Sequence, residues 1–172
     1  ADEVVGAARD YLAGRTALLE ARIEAGWARD GHGDLLAEDV FCLDDGPRVL
    51  DCLEFDDHLR YVDGLDDAAF LAMDLERLGS PEAATFFLAA YSEYSGDPAP
   101  PSLWHHYVAY RAFVRAKVAL IQACQGSPGG QPAAHRLTTA ALRHLRTSAV
   151  GLILVGGLPG SGKSTLSGAL AD

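Results

Sequence analysis

Two short apolar runs, Val40-Phe41-Cys42-Leu43 and Arg48-Val49-Leu50-Asp51-Cys52-Leu53, flank the turn residues Asp44-Asp45-Gly46-Pro47. An Asp-Gly turn between apolar segments of this length is the signature of a β-hairpin. Almost everything else up to Thr147 carries helical spacing, so any fold must seat one small ribbon among helices. Val4 to about Arg29 reads as a helix, with Leu12, Leu18, Leu19, Ile23 and Trp27 on its apolar side and the Asp30-Gly31-His32-Gly33 cluster ending it. Helices are expected near Asp66–Leu78, from Ser80 with Pro81 in its first turn, from Ser102 to about Ala123, and over Ala133–Arg146. The Gly96–Pro101 and Gly126–Pro132 stretches serve as connectors.

After Ala149 the character changes. Val150 to Val155 is a continuous apolar run, as in a buried parallel strand, and it feeds into Gly157-Leu158-Pro159-Gly160-Ser161-Gly162-Lys163-Ser164. That segment fits the phosphate-loop pattern G-x-x-x-x-G-K-[ST] in its proper context, after a strand and before a helix. Gly157, Gly160, Ser161 and Gly162 let backbone N–H groups close on phosphate oxygens, and Lys163 reaches the outer phosphates. Ser164 ligates Mg²⁺, and Thr165 belongs to the same nucleotide-binding turn. Only eight residues follow Ser164, so the strands such a domain needs are not in the sequence. Two regions are therefore expected, 1–148 and 149–172, and the fold class is mainly α with a small β-hairpin (α+β), followed by the first strand and P-loop of an α/β domain.

Charge is unevenly spread. The 172 residues carry a formal net charge of −10. Between Asp30 and Glu76 there are 15 acidic residues against Arg48 and Arg60 alone, while Pro98 to Ala171 contains seven Lys and Arg and no acid. Solvated helix faces account for most such charges. An acidic chain is a poor match for nucleic acid or an anionic membrane, and no apolar run reaches the length of a membrane span. Three cysteines without metal-type spacing argue against a disulfide scaffold, and a cytoplasmic setting is expected. Cys42 and Cys52 are expected as buried free thiols, and Arg111, Arg115 and Lys117 as a solvated face. His105-His106 belong to a helix surface or the edge of the core, and the aromatics from Trp104 to Phe113 to the core.

The acidic block has internal order. If the hairpin turn is centred near Asp45, Asp39 falls opposite Asp51 at the open end. Two converging carboxylates repel unless a cation lies between them, and hard oxygen ligands favour Mg²⁺. Asp34, five residues upstream, is placed to accept a hydroxyl proton beside a metal-bound phosphate. His32-Gly33-Asp34 through Asp39, followed by Asp51, resembles the catalytic loop and metal-binding Asp of aminoglycoside phosphotransferase-like kinases, relatives of protein kinases. The resemblance implies a kinase-like helical C-lobe over about 1–147. Within it, Asp34 is the catalytic base, Asp39 and Asp51 are metal ligands, and His32 supports the loop.

It further implies Mg²⁺ and ATP (or GTP) as cofactor and nucleotide, and a small hydroxylated molecule as acceptor. Asp39 departs from the family's Asn, adding a negative charge beside the metal. The Gly-rich loop and nucleotide-gripping Lys of an amino-terminal kinase lobe do not precede Asp30. With the P-loop at the other end, the chain resembles the middle of a bacterial two-domain group, fused to a kinase similar to zeta-toxin and gluconate-kinase proteins. The alternatives are a catalytically degenerate kinase-fold module with a nucleotide-binding or regulatory role, and a metal-dependent phosphoester hydrolase using His32, Asp34 and Asp51.

Overall fold

The structure, a computed structural model, describes residues 1–149, 151 and 154–171. It is mainly helical with two small antiparallel ribbons, an α+β arrangement. The opening segment forms two helices rather than one, α1 (Asp2–Ala13) and α2 (Thr16–Glu24), because Gly14 caps the first and the chain restarts at Arg15. Next come β1 (Ala28–Asp30), a 3₁₀ turn (Ala37–Asp39), β2 (Val40–Leu43), β3 (Gly46–Val49), α3 (Asp57–Arg60) and β4 (Tyr61–Asp63). Four longer helices follow: α4 (Gly64–Arg77), α5 (Pro81–Ser95), α6 (Pro101–Cys124) and α7 (Gly130–Thr147). Gly130 already lies in α7, so the expected connector is shorter and Pro132 sits in the helix's first turn, where its missing N–H costs nothing.

The core is built where α4, α6 and α7 meet, around Leu65, Phe70, Met73, Leu103, Val108 and Leu145, with α1 and α5 packed against it. Alanines at 69, 72, 109, 112 and 141 are almost wholly buried and let the helix backbones approach closely. Two polar knots and one ring stack pass through this packing. Buried Arg22 forks onto Asp63 and Asp97 at 2.6–2.8 Å, tying α2 to β4 and to the α5–α6 connection. His144 of α7 meets His105 of α6 through their Nδ1 atoms at 2.8 Å, and its Nε2 lies 3.0 Å from Glu76 of α4. His106 is buried rather than at the surface, stacked on Tyr11 with ring centroids 4.4 Å apart. Trp104, Tyr107 and Phe113 pack against the core, while Tyr110 of the same run is exposed.

β2 and β3 form the expected hairpin, but with a two-residue turn at Asp44-Asp45. Pairing runs Val40↔Val49 to Leu43↔Gly46, so Asp39 comes opposite Leu50 and not Asp51, and the Leu50 N–H donates to the Asp39 carbonyl at 3.0 Å. A turn centred between two residues instead of on one shifts the register by one. Cys42 pairs with Pro47 in this register. Cys42 is exposed and Cys52 half-buried, which corrects the expectation of buried thiols.

β1 pairs with β4, a ribbon too short to leave a period-two signal; its register Ala28↔Asp63 and Asp30↔Tyr61 brings residues 31–39 alongside the start of α4. Of the strand expected over 150–155, Val150, Leu152 and Ile153 lie outside the described residues, and Leu154 and Val155 are irregular. The segment from Gly157 leads into α8 (Lys163–Ala171). No helix among the described residues is long and apolar enough to cross a membrane.

Candidate functional site

The His32-Gly33-Asp34 loop leaves β1 and is held from below by α4. Asp67, in the first turn of that helix, accepts from the His32 N–H at 2.7 Å and the Gly33 N–H at 2.9 Å. One turn pair further along, buried Asp74 accepts from the Ala37 N–H at 3.1 Å, so α4 carries the loop at two points seven residues apart. Gly33 has φ +84°, where a side chain is strained, and a Cβ there would lie a tight 3.2 Å from Leu53 Cβ and 3.3 Å from the Leu59 carbonyl. Glycine is strongly favoured at such a position.

His32 joins the loop to the segment that follows the hairpin. Its Nε2 lies 2.7 Å from the Leu50 carbonyl, which can only accept, so Nε2 carries the proton. The His32 carbonyl in turn accepts from the Leu53 N–H at 2.9 Å. Asp51 is thus bracketed between two residues that His32 holds. It adopts φ +64°, the one positive value at a non-glycine residue among the described residues, and its side chain is exposed. Arg60 steadies the same segment, donating from one terminal nitrogen to the Leu53 carbonyl at 3.1 Å and from Nε to Asp30 at 2.5 Å.

Asp34 is half-exposed, 4.0 Å from the Arg115 guanidinium. Asp39 is partly engaged, its carboxylate accepting from the Leu36 N–H at 2.9 Å and closing the 3₁₀ turn. Asp34, Asp39 and Asp51 therefore lie on one connected loop system without forming a closed cage: among the described residues no three His, Cys, Asp or Glu side chains are grouped to hold a metal ion.

The residues that position the loop left a weaker mark in the sequence. Arg111 is buried, where a solvated face was expected. Its fork meets Asp66 at 2.8 Å twice, its third contact reaches the Gly33 carbonyl at 3.3 Å, and its guanidinium lies 4.7 Å from the Phe70 ring centre. Burial pushes the Asp66 carboxyl from 3.8 up to about 6, with Arg111 opposing. Asp66 and Asp74 share the face of α4 that also carries Phe70 and Met73. Acids on an otherwise apolar helix face were the signal that could have singled them out.

At the other end, Gly160 and Gly162 have φ near +78° and +79°, and the Leu166 N–H donates to the Gly162 carbonyl as α8 begins. Lys163 folds back so that Nζ donates to the Leu158 carbonyl at 2.7 Å. Ser164 and Thr165 are exposed at the start of the helix.

No family model matches this sequence, and no solved structure matches it. Curated relatives do. The chain is 52% identical over 163 residues to the uncharacterized protein Rv2004c of Mycobacterium tuberculosis (strain H37Rv) and, to the same degree, to the uncharacterized protein Mb2027c of Mycobacterium bovis. The match covers 95% of the chain but 33% of each relative, so the chain spans about a third of the length of these mycobacterial proteins.

Proposed function

We propose that residues 1–148 are the helical lobe of an aminoglycoside phosphotransferase-like kinase, and that the longer protein is a Mg²⁺- and ATP-dependent phosphotransferase acting on a small hydroxylated acceptor. The observation that carries this reading is the double hold of His32 on Leu50 and Leu53, which ties Asp51 to the loop bearing Asp34. A proton acceptor and a metal-seeking carboxylate fixed by one residue suit phosphoryl transfer, where positioning and charge stabilisation supply most of the rate.

Asp34, open to solvent and oriented by the glycine before it, accepts the acceptor hydroxyl's proton. Asp51 and Asp39, both at the open end of the hairpin, would hold the metal. Mg²⁺ takes one or two carboxylates and completes its shell with water and phosphate oxygens, so a three-carboxylate cage is not required. When bound, the ion supplies charge neutralisation at the transferring phosphoryl group. His32 and Asp67 do no chemistry and fix the loop. The Gly157–Ser164 loop supports a second nucleotide site in the longer protein, with Lys163 released from Leu158 toward phosphate and Ser164 on the metal.

One observation favours a second reading, a nucleotide-binding or regulatory module without turnover: Asp39 adds a charge where the resembling kinases have Asn, and its carboxylate is partly committed to the Leu36 N–H. Phosphate turnover of the longer protein with Asp39→Asn separates the two. A working site shows turnover that changes by less than about tenfold with Asp39→Asn and is abolished by Asp34→Asn. A degenerate site gains turnover only when Asn is restored.

A further inference from the structure

A groove of about 240 Å³ runs between α4, α6 and α7, and its lining includes no residue of the His32–Asp39 loop or the hairpin. Its floor is apolar, made by the buried side chains of Met73, Val108, Ala112 and Leu137, and half-buried Ala140 borders the open space. Three arginines rim it: Arg77, Arg136 and Arg143. Arg77 uses only Nε on Asp74, Arg143 shares a terminal nitrogen with Glu76, and Arg136 pairs with no carboxylate among the described residues.

Glu76, the single acid in the lining, already pairs with Arg143 and lies 3.0 Å from His144 Nε2. The α6 and α7 walls contribute none, since no acid occurs from Pro98 to Ala171. With Arg77 opposed by buried Asp74 and Arg143 by Glu76, Arg136 brings the unopposed positive charge to the edge of an apolar floor, a local reversal on a chain of net charge −10. A bare anion would meet only exposed guanidinium groups, which bind weakly on their own. A neutral apolar molecule would leave the arginines unused.

We infer that this groove binds a monomeric single-chain amphiphile with a carboxylate or phosphate head, its tail on the alanine-lined floor and its head held by Arg136 with Arg77 or Arg143. The test is calorimetric titration of the 172-residue chain with octanoate and octyl phosphate, with octanol and inorganic phosphate as tail-only and head-only controls. One of the two amphiphiles should bind saturably at one site. Arg136→Glu, a surface change, should weaken it by about tenfold or more. Ala140→Leu should fill the trough and abolish binding, with melting temperatures confirming that both variants fold.

Absence of saturable binding overturns the proposal, as does affinity that neither variant moves. Octanol or inorganic phosphate binding as tightly as the amphiphile does the same. Association with phosphatidylglycerol vesicles but not with either monomer would replace the ligand by a membrane surface. Binding of a polyglutamate peptide in place of the amphiphiles would replace it by an acidic protein segment, again overturning the inference.

Discussion

Asp67 accepts two backbone N–H groups and donates to none, so its worth can be measured by truncation. Asp67→Ala leaves the His32 and Gly33 amides without partners in a part-buried loop, and should cost about 1–3 kcal/mol, read as a lower urea midpoint at unchanged slope. A second residue-scale prediction concerns His106. Burial alone lowers its pKa from 6.5 to about 4, and its Nδ1 has no hydrogen-bond partner among the described residues. A base whose folded value is depressed contributes stability that is complete above 6.5 and is lost as pH falls toward 4, with a slope of about 1.4 kcal/mol per pH unit for one proton. His106→Phe keeps the stack on Tyr11 and removes that proton. Its unfolding free energy should change less between pH 6.5 and 4 than that of the parent, because the contributions of His105, Asp66 and Glu76 are common to both proteins and only that of His106 is removed. Equal slopes in the two proteins would refute the assignment. At this scale residue type and spacing were readable in the sequence, and burial was not. His32, Asp34 and Asp51 stood out by type and spacing, but Arg111 looked like any helical surface charge, because exposure is settled by what packs on the helix and not by the helix itself.

Among the elements, α4 does the positioning. It begins where β4 ends, holds the loop through Asp67 and Asp74, and through Asp66 grips Arg111 of α6. Arg111→Met leaves Asp66 buried without its partner and should destabilise by about 3–5 kcal/mol. Because the folded state already raises the Asp66 carboxyl to about 6, stability from this group declines as pH rises between its ordinary value and 6. Removing the guanidinium raises it further and extends the decline, so the variant should lose more at pH 8 than at pH 5. Thermal melts at the two pH values check this, and an equal loss at both would contradict it. α4, α5 and α6 were legible to within two residues, since capping residues and helical periodicity marked their ends. The hairpin was legible but its register was not: moving the turn centre by half a residue displaces every cross-strand partner. The β1–β4 ribbon, three residues a side, was invisible because it pairs segments more than thirty residues apart.

Over the molecule as a whole, the acidic block and the acid-free carboxy-terminal half divide the labour. The first carries the loop and hairpin proposed for metal and proton transfer; the second supplies the α6 and α7 walls of the groove, whose third wall is α4, and the phosphate-loop sequence. The hairpin exposes Phe41, Leu43 and Val49, and a two-strand ribbon has little stability of its own. The most direct measurement of the proposed site is ATP binding to the longer protein in a Lys163→Ala background, which removes the lysine of the second proposed nucleotide site, with Mg²⁺ and then with chelator. Binding that requires Mg²⁺ and disappears on adding Asp51→Ala is the expected result. Binding that is indifferent to Mg²⁺, or that survives Asp51→Ala unchanged, would contradict a metal-assisted phosphoryl-transfer site at the hairpin.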